Sequence, residues 1–142
     1  MALVVWNQYL NEGVGRSGSR YAIARHGAAG EAPWLVVVDG DELCVAGNAT
    51  DALIQAENLE ALRCFLRGLG AEMTVAELHR AGLVAAQMSH AARRAGADPH
   101  FSSEQRRQAE RTWQRLRALR GEIESAARQR IAWQPQPSEL VH

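Results

Sequence analysis

ELCVAGNATDALIQAENLEAL, residues 42–62, carries the change of rhythm that decides the fold. Ahead of Gly47 the apolar side chains come in short runs rich in valine. Beyond Asn48 they recur every three or four positions, at Ala52, Ala56, Leu59, Leu62, Leu66 and Leu69. A two-residue period lines one side of a strand, and a period near 3.6 lines one side of a helix. Asn48 or Thr50 is placed to cap that helix, because a short side-chain oxygen accepts a free first-turn N–H. Gly68 and Gly70 supply its stop. A sheet therefore hands over to helices near Gly47.

Upstream, ALVVWNQYL (2–10), RYAIARHG (20–27), WLVVV (34–38) and ELCVAG (42–47) read as strands. NEGVGRSGS (11–19) reads as a flexible loop and GAAGEAP (27–33) as a turn. Asp39-Gly40 between apolar runs marks a tight hairpin, since both residues tolerate positive φ. The expectation is an antiparallel meander of three to four strands.

Downstream, MTVAELHRAGLVAAQMSHAARRAG (73–96) opens with a capping box, Thr74 and Glu77. Val75, Leu78, Ala81, Val84 or Ala85, Met88, Ala91 and Ala95 make one stripe that Gly96 ends. Residues 102–133 form a long third helix capped by Ser102 or Ser103. Its heptad rows are Ala109, Leu116, Ile123 and Thr112, Leu119, Ala126. Arg130 falls on the seam, and Gly121 lies inside the helix at a cost of ~1 kcal/mol relative to alanine. Ala109, Leu116, Leu119 and Ile123 are candidates for a dimer seam. The same row also suits packing on the helix that starts at Thr74. The chain is thus read as α+β: a sheet-plus-helix domain over 1–70, a helical hairpin or arm over 71–133, and a tail over 134–142.

Composition narrows the classes. With 46% hydrophobic residues in 142, the chain can bury a core without staples. Net charge is zero, yet residues 1–79 carry five Arg against ten acids and residues 80–142 carry eleven Arg against six. An acidic front and a basic back suit either mutual attraction or an anion-facing rear. Two unpaired-looking cysteines, Cys44 and Cys64, point to a reducing compartment. MALVVW is too short and lacks the basic flank of a signal peptide, and no apolar run reaches spanning length. A cytoplasmic protein with no membrane association is expected.

GLVAAQMSHAARRAG (82–96) poses the functional question. It fits the second half of a helix-turn-helix, with Gly82 at the turn and Ser89, His90, Arg93 and Arg94 facing outward. It fits equally the middle of one helix, since the stripe runs through Gly82 in register. The stretch 21–70, and GNATDALIQAENLEAL within it, resembles HicB-type antitoxins: a short sheet, then a turn leading into a helix with recurring Ala and Leu. That resemblance implies a DNA-binding segment beginning at TVAELHRAGL. The Pro-Asp-Leu-Pro-Gly-Cys-like stretch usual before the turn is absent, with only Cys44 nearby.

Other motifs weigh little toward catalysis. RAGADPH (94–100) has the Arg–His spacing of some helical ribonucleases, but Gly96 and Pro99 break the helix between Arg94 and His100. His79, His90 and His100 share no metal-type spacing with a cysteine. EGVGRSG lacks the Gly-Lys-Ser/Thr ending of a phosphate loop; Arg16 and Arg20 beside it are candidate loop contacts. Asp39, Asp41 and Glu42 crowd a turn and read as a solvated tip. Arg107, Arg111 and Arg115 form a ridge one turn apart on the last helix, and Trp113 is a residue type favoured at interfaces. The expectation is a non-catalytic partner-binding protein, an adaptor or inhibitor of the kind mobile elements encode, with no cofactor or metal. It would dock another protein on its sheet and Arg-rich helix. The alternatives are a DNA-binding regulator with a helix-turn-helix at 74–95, and, further off, a small nuclease.

Overall fold

A computed structural model describes residues 2–25 and 34–132, without the side chains of Glu42 and Leu43. The turn expected at 27–33, His26, Trp133 and the tail expected at 134–142 lie outside the described residues. The chain divides into two compact units, Met1–Gly68 and Leu69–His142. The class is α+β.

The first unit is a five-stranded antiparallel sheet in the order β1-β2-β3-β4-β5. Its strands are β1 (Val4–Trp6), β2 (Glu12–Gly15), β3 (Arg20–Arg25), β4 (Trp34–Val38) and β5 (Asp41–Ala46), followed by helix α1 (Ala49–Leu66). Five strands replace the expected three to four. The additional strand is β2, inside the stretch whose glycines read as a flexible loop. Its backbone pairs with β1 through Val4↔Gly15 and with β3 through Gly13↔Tyr21. The glycines serve close approach rather than flexibility. A Cβ on Gly13 would come within 2.8 Å of both Trp6 and Val4 side-chain carbons, and one on Gly15 would overlap the Glu60 carboxylate.

Register assigns the two sides of the sheet. Val4, Tyr21, Ile23, Val36, Val38 and Ala46 share the inner side and form a core with Ala52 and Ala56 of α1. The Asp39-Gly40 hairpin forms as expected, with φ of 51° and 90°. Both central residues are left-handed, which matches the twist of the flanking strands. Asn48 caps α1 by accepting from the Asp51 N–H at 2.8 Å, and Gly68 ends it at φ 81°. The buried row of α1 is Ala52, Ala56, Glu60 and Cys64, spaced four apart, with Ala61 and Leu62 beside it. Leu66, expected in that stripe, is 61% exposed.

The second unit opens with a single 3-10 turn, Gly70–Glu72, and contains helices α2 (Val75–Ala97) and α3 (Ser103–Ala132). Thr74 and Glu77 complete the capping box on α2. Ser102 and Gln105 exchange the same pair of bonds at the start of α3. The helices pack antiparallel: Gly96 lies against Arg106 and Glu110, Gly82 against Ile123, and Arg130 Nε donates to the Met73 carbonyl at 2.9 Å.

The helix-turn-helix geometry expected as an alternative at 74–95 is not present, because α2 runs unbroken through Gly82. Its capping box nucleates a helix that propagates across one glycine at ~1 kcal/mol. The buried stripe is Leu78, Ala81, Ala85 and Ser89. Met88, expected as an anchor, is 45% exposed, since position 89 and not 88 continues the 78-85 line at a period of 3.6. In α3, Leu116, Ile123 and Ala127 are buried.

A glycine spanned by a regular helix should be improvable. The nearest atom to a Cβ on Gly82 is Ile123 Cγ2 at 3.5 Å, an ordinary contact. Gly82→Ala is therefore expected to raise the unfolding free energy by ~0.5–1 kcal/mol in urea titrations. A loss of stability would mean that a turn, not a helix, sits there in solution.

Candidate functional site

The densest buried polar cluster lies between α1 and the β2–β3 turn. Glu60 is fully buried. Its Oε2 accepts from the Ser17 N–H at 2.7 Å, and its Oε1 accepts from Ser17 Oγ at 2.6 Å and Tyr21 Oη at 2.9 Å. Cys64 Sγ, one turn further along α1, donates to Oε2 at 3.7 Å. Ser17 Oγ also meets Ser19 Oγ at 3.0 Å. A carboxylate this far from water is tolerated only because several donors converge on it.

The cluster extends to the surface through Arg63. Its Nε donates to Ser19 Oγ at 2.7 Å and its Nη2 pairs with Asp39 Oδ2 at 3.0 Å. Asp39 Oδ1 accepts from the Arg20 N–H at 2.8 Å. The acid at the hairpin tip is thus tied back to α1 and β3. Tyr21 ionises far above the usual tyrosine range, first because it is buried and then because the Glu60 charge faces it. Burial also pushes the Cys44 thiol up, so it is a poor nucleophile near neutrality.

This arrangement is a clamp. Every polar group in it has a partner within the chain, and the groups that resemble a serine–carboxylate pair are enclosed. Sequence reading did not reach Glu60, Ser17, Ser19, Tyr21 or Arg63. The available signal was Glu60 standing in line with Ala52, Ala56 and Cys64 on an otherwise small-residue row.

The outer side of the sheet is the second feature. Register places Val5 beside Val14, Ala22 beside Val37, and Leu35 beside Val45. Val5 is 72%, Val14 52% and Val45 62% exposed, whereas Leu35 is buried. Val5, Val14, Ala22 and Val37 line a hollow of about 780 Å³ with Glu12 and Arg20 at its edge. An antiparallel sheet with one side on a core ordinarily turns polar side chains outward. Here the outer side is largely aliphatic, with Glu12 opposite Ala22 and Arg20 opposite Val14.

The residues expected to make contacts fall into different settings. Ser89 is buried and is withdrawn as a contact residue, because it continues the Leu78–Ala85 stripe. His90, Arg93 and Arg94 are exposed on α2, and Arg107, Arg111 and Arg115 are exposed on α3. Arg111 Nη2 donates to Gln108 at 2.7 Å. Trp113 is half-buried, and its ring carries the guanidinium groups of Arg93, at 5.0 Å from guanidinium carbon to ring centre, and of Arg117 at 5.5 Å. Of the loop candidates, Arg16 donates its N–H to the Leu3 carbonyl at 2.9 Å, and Arg20 borders the outer hollow. On the seam, Leu116 and Ile123 are buried within the single chain and Ala109 and Leu119 half-buried. Arg94 and His100 stay exposed on either side of a capping turn, where His100 bonds Asp98.

Among the described residues no cluster of His, Cys, Asp and Glu is suited to a metal ion, and no helix is long and apolar enough to cross a membrane. No known protein family, curated protein or solved structure matches the chain. The likeness to HicB-type antitoxins accordingly rests on the wording of residues 21–70 alone.

Proposed function

We propose that this chain is a non-catalytic binding protein of the cytoplasm, and that a second protein docks on the outer side of its sheet. The observation that carries this reading is the aliphatic outer side, Val5, Val14, Ala22, Val37 and Val45, on a sheet whose inner side is already covered by α1. Domains are built from packed layers, and a bare aliphatic layer is completed by a partner. The occupant is a convex apolar segment such as an amphipathic helix of another protein. Glu12 and Arg20 at the margin suit a partner with charges of both signs around its apolar centre. The enclosure of Glu60, Ser17 and Tyr21 in mutual hydrogen bonds supports the non-catalytic part.

Capture from the source cells after nuclease treatment tests this. Wild type should retain one stoichiometric protein, and Val14→Asp should lose it at least tenfold while melting like wild type. Retention of the same species by both proteins would remove the outer side as the docking surface. So would a wild-type dimer in light scattering that Val14→Asp disperses, because the occupant would then be this chain itself.

A further inference from the structure

We infer that Arg93 and Arg117, held on the ring of Trp113, form a seat for the phosphodiester groups of a nucleic-acid strand. The two guanidinium carbons lie 5.0 and 5.5 Å from the centre of one indole, one arginine coming from α2 and the other from α3. No carboxylate or carbonyl among the described residues accepts from either. Two like charges are therefore gathered on one ring with no counter-charge, an arrangement that a bound anion relieves. Contact with the ring also restricts both side chains beforehand. A guanidinium held over an aromatic ring keeps N–H groups for a phosphate oxygen. The ordering cost of binding is lowered accordingly.

The same side of α3 continues the pattern. Trp113, Arg117 and Arg120 stand at i, i+4 and i+7, and so share one flank of the helix. Arg120 has no acceptor among the described residues. Arg106, two turns before Trp113, has its Nε withdrawn from water without a partner. Glu110 and Glu124 bracket the stretch by the same spacing, which confines the seat to Arg93, Arg117 and Arg120. A strand offers phosphates in series to such a row, and a lone phosphate group would engage only part of it. The inference uses α2 and α3 alone and does not depend on the docking surface proposed for the sheet.

The test is fluorescence anisotropy with a labelled single-stranded DNA of about twenty nucleotides, titrated with the full chain over a salt series. Three neutralised phosphates predict a log–log salt slope of about −2. Arg93→Gln with Arg117→Gln should weaken binding at least tenfold and flatten the slope by about 1.4. Arg93→Lys with Arg117→Lys keeps the charge but not the planar guanidinium, and should fall between the two. Arg111→Gln with Arg115→Gln, on another side of α3, should stay within twofold of wild type. Thermal melts of each variant by circular dichroism confirm that α2 and α3 persist. Absence of binding at low salt would overturn the inference. An equal loss in the Arg111/Arg115 variant would also overturn it, as would tighter binding of a phosphorylated peptide than of the DNA.

Discussion

Glu60→Ala is expected to destabilise the sheet-and-helix unit by about 4 kcal/mol, enough to leave it marginal at 25 °C. The wild-type carboxylate accepts from the Ser17 N–H, the Ser17 hydroxyl and the Tyr21 hydroxyl, all in a site closed to water. Alanine strands those donors at ~1–3 kcal/mol each, partly offset where water enters the vacated volume. Glu60→Gln retains one acceptor oxygen but turns an amide N–H₂ toward other donors, so about 2 kcal/mol is expected. A second substitution isolates the contact. Gly15→Ala should be costly in wild type, because its Cβ would overlap the carboxylate, and much milder beside Glu60→Ala. Urea unfolding followed by tryptophan fluorescence measures all four corners of the cycle. A Glu60→Ala protein within about 0.5 kcal/mol of wild type would show that the clamp contributes nothing.

The contrast between that clamp and the well-predicted elements shows what a sequence displays. Asp39-Gly40, Asn48 and the Thr74/Glu77 box were legible because each acts within four residues: the side chain that makes the turn or cap is next to the backbone it serves. The division near Gly47 was legible because hydrophobic period is itself local. β2 was not, since its strand character comes from neighbours on both sides, and Gly13 and Gly15 are glycine because Trp6, Val4 and Glu60 lie over them. Composition reports only that those positions lack side chains, and a flexible loop looks the same. The choice between Met88 and Ser89 for the buried side of α2 turned on a single position. In an alanine-rich helix, where small side chains approach closely, hydrophobicity is a poor guide to which one faces the neighbour. Trp113 stood out in the sequence only as a residue type favoured at interfaces. Its contact with Arg93 joins two helices across twenty positions and could not be read from either helix alone.

Ile123→Asp is expected to unfold the helical hairpin, with a loss of about 4 kcal/mol or more. Ile123 is 2% exposed, and its Cγ2 faces Gly82 of α2 across the helix pair. An aspartate there loses the isoleucine's burial and places an unpaired carboxylate between the helices. Most helical stability in proteins comes from tertiary packing, so loss of the α2–α3 contact removes the main support of both helices. The ellipticity at the helical minimum should fall steeply, and the mid-helix amides of α2 should lose their protection from hydrogen exchange. Leu116→Asp, in the same buried row, should act in the same direction. If these side chains instead formed a seam between two copies, both variants would give helical monomers of unchanged ellipticity. Light scattering alongside circular dichroism distinguishes the outcomes: loss of helix at unchanged mass supports packing within the chain, and loss of mass with helix retained rules it out.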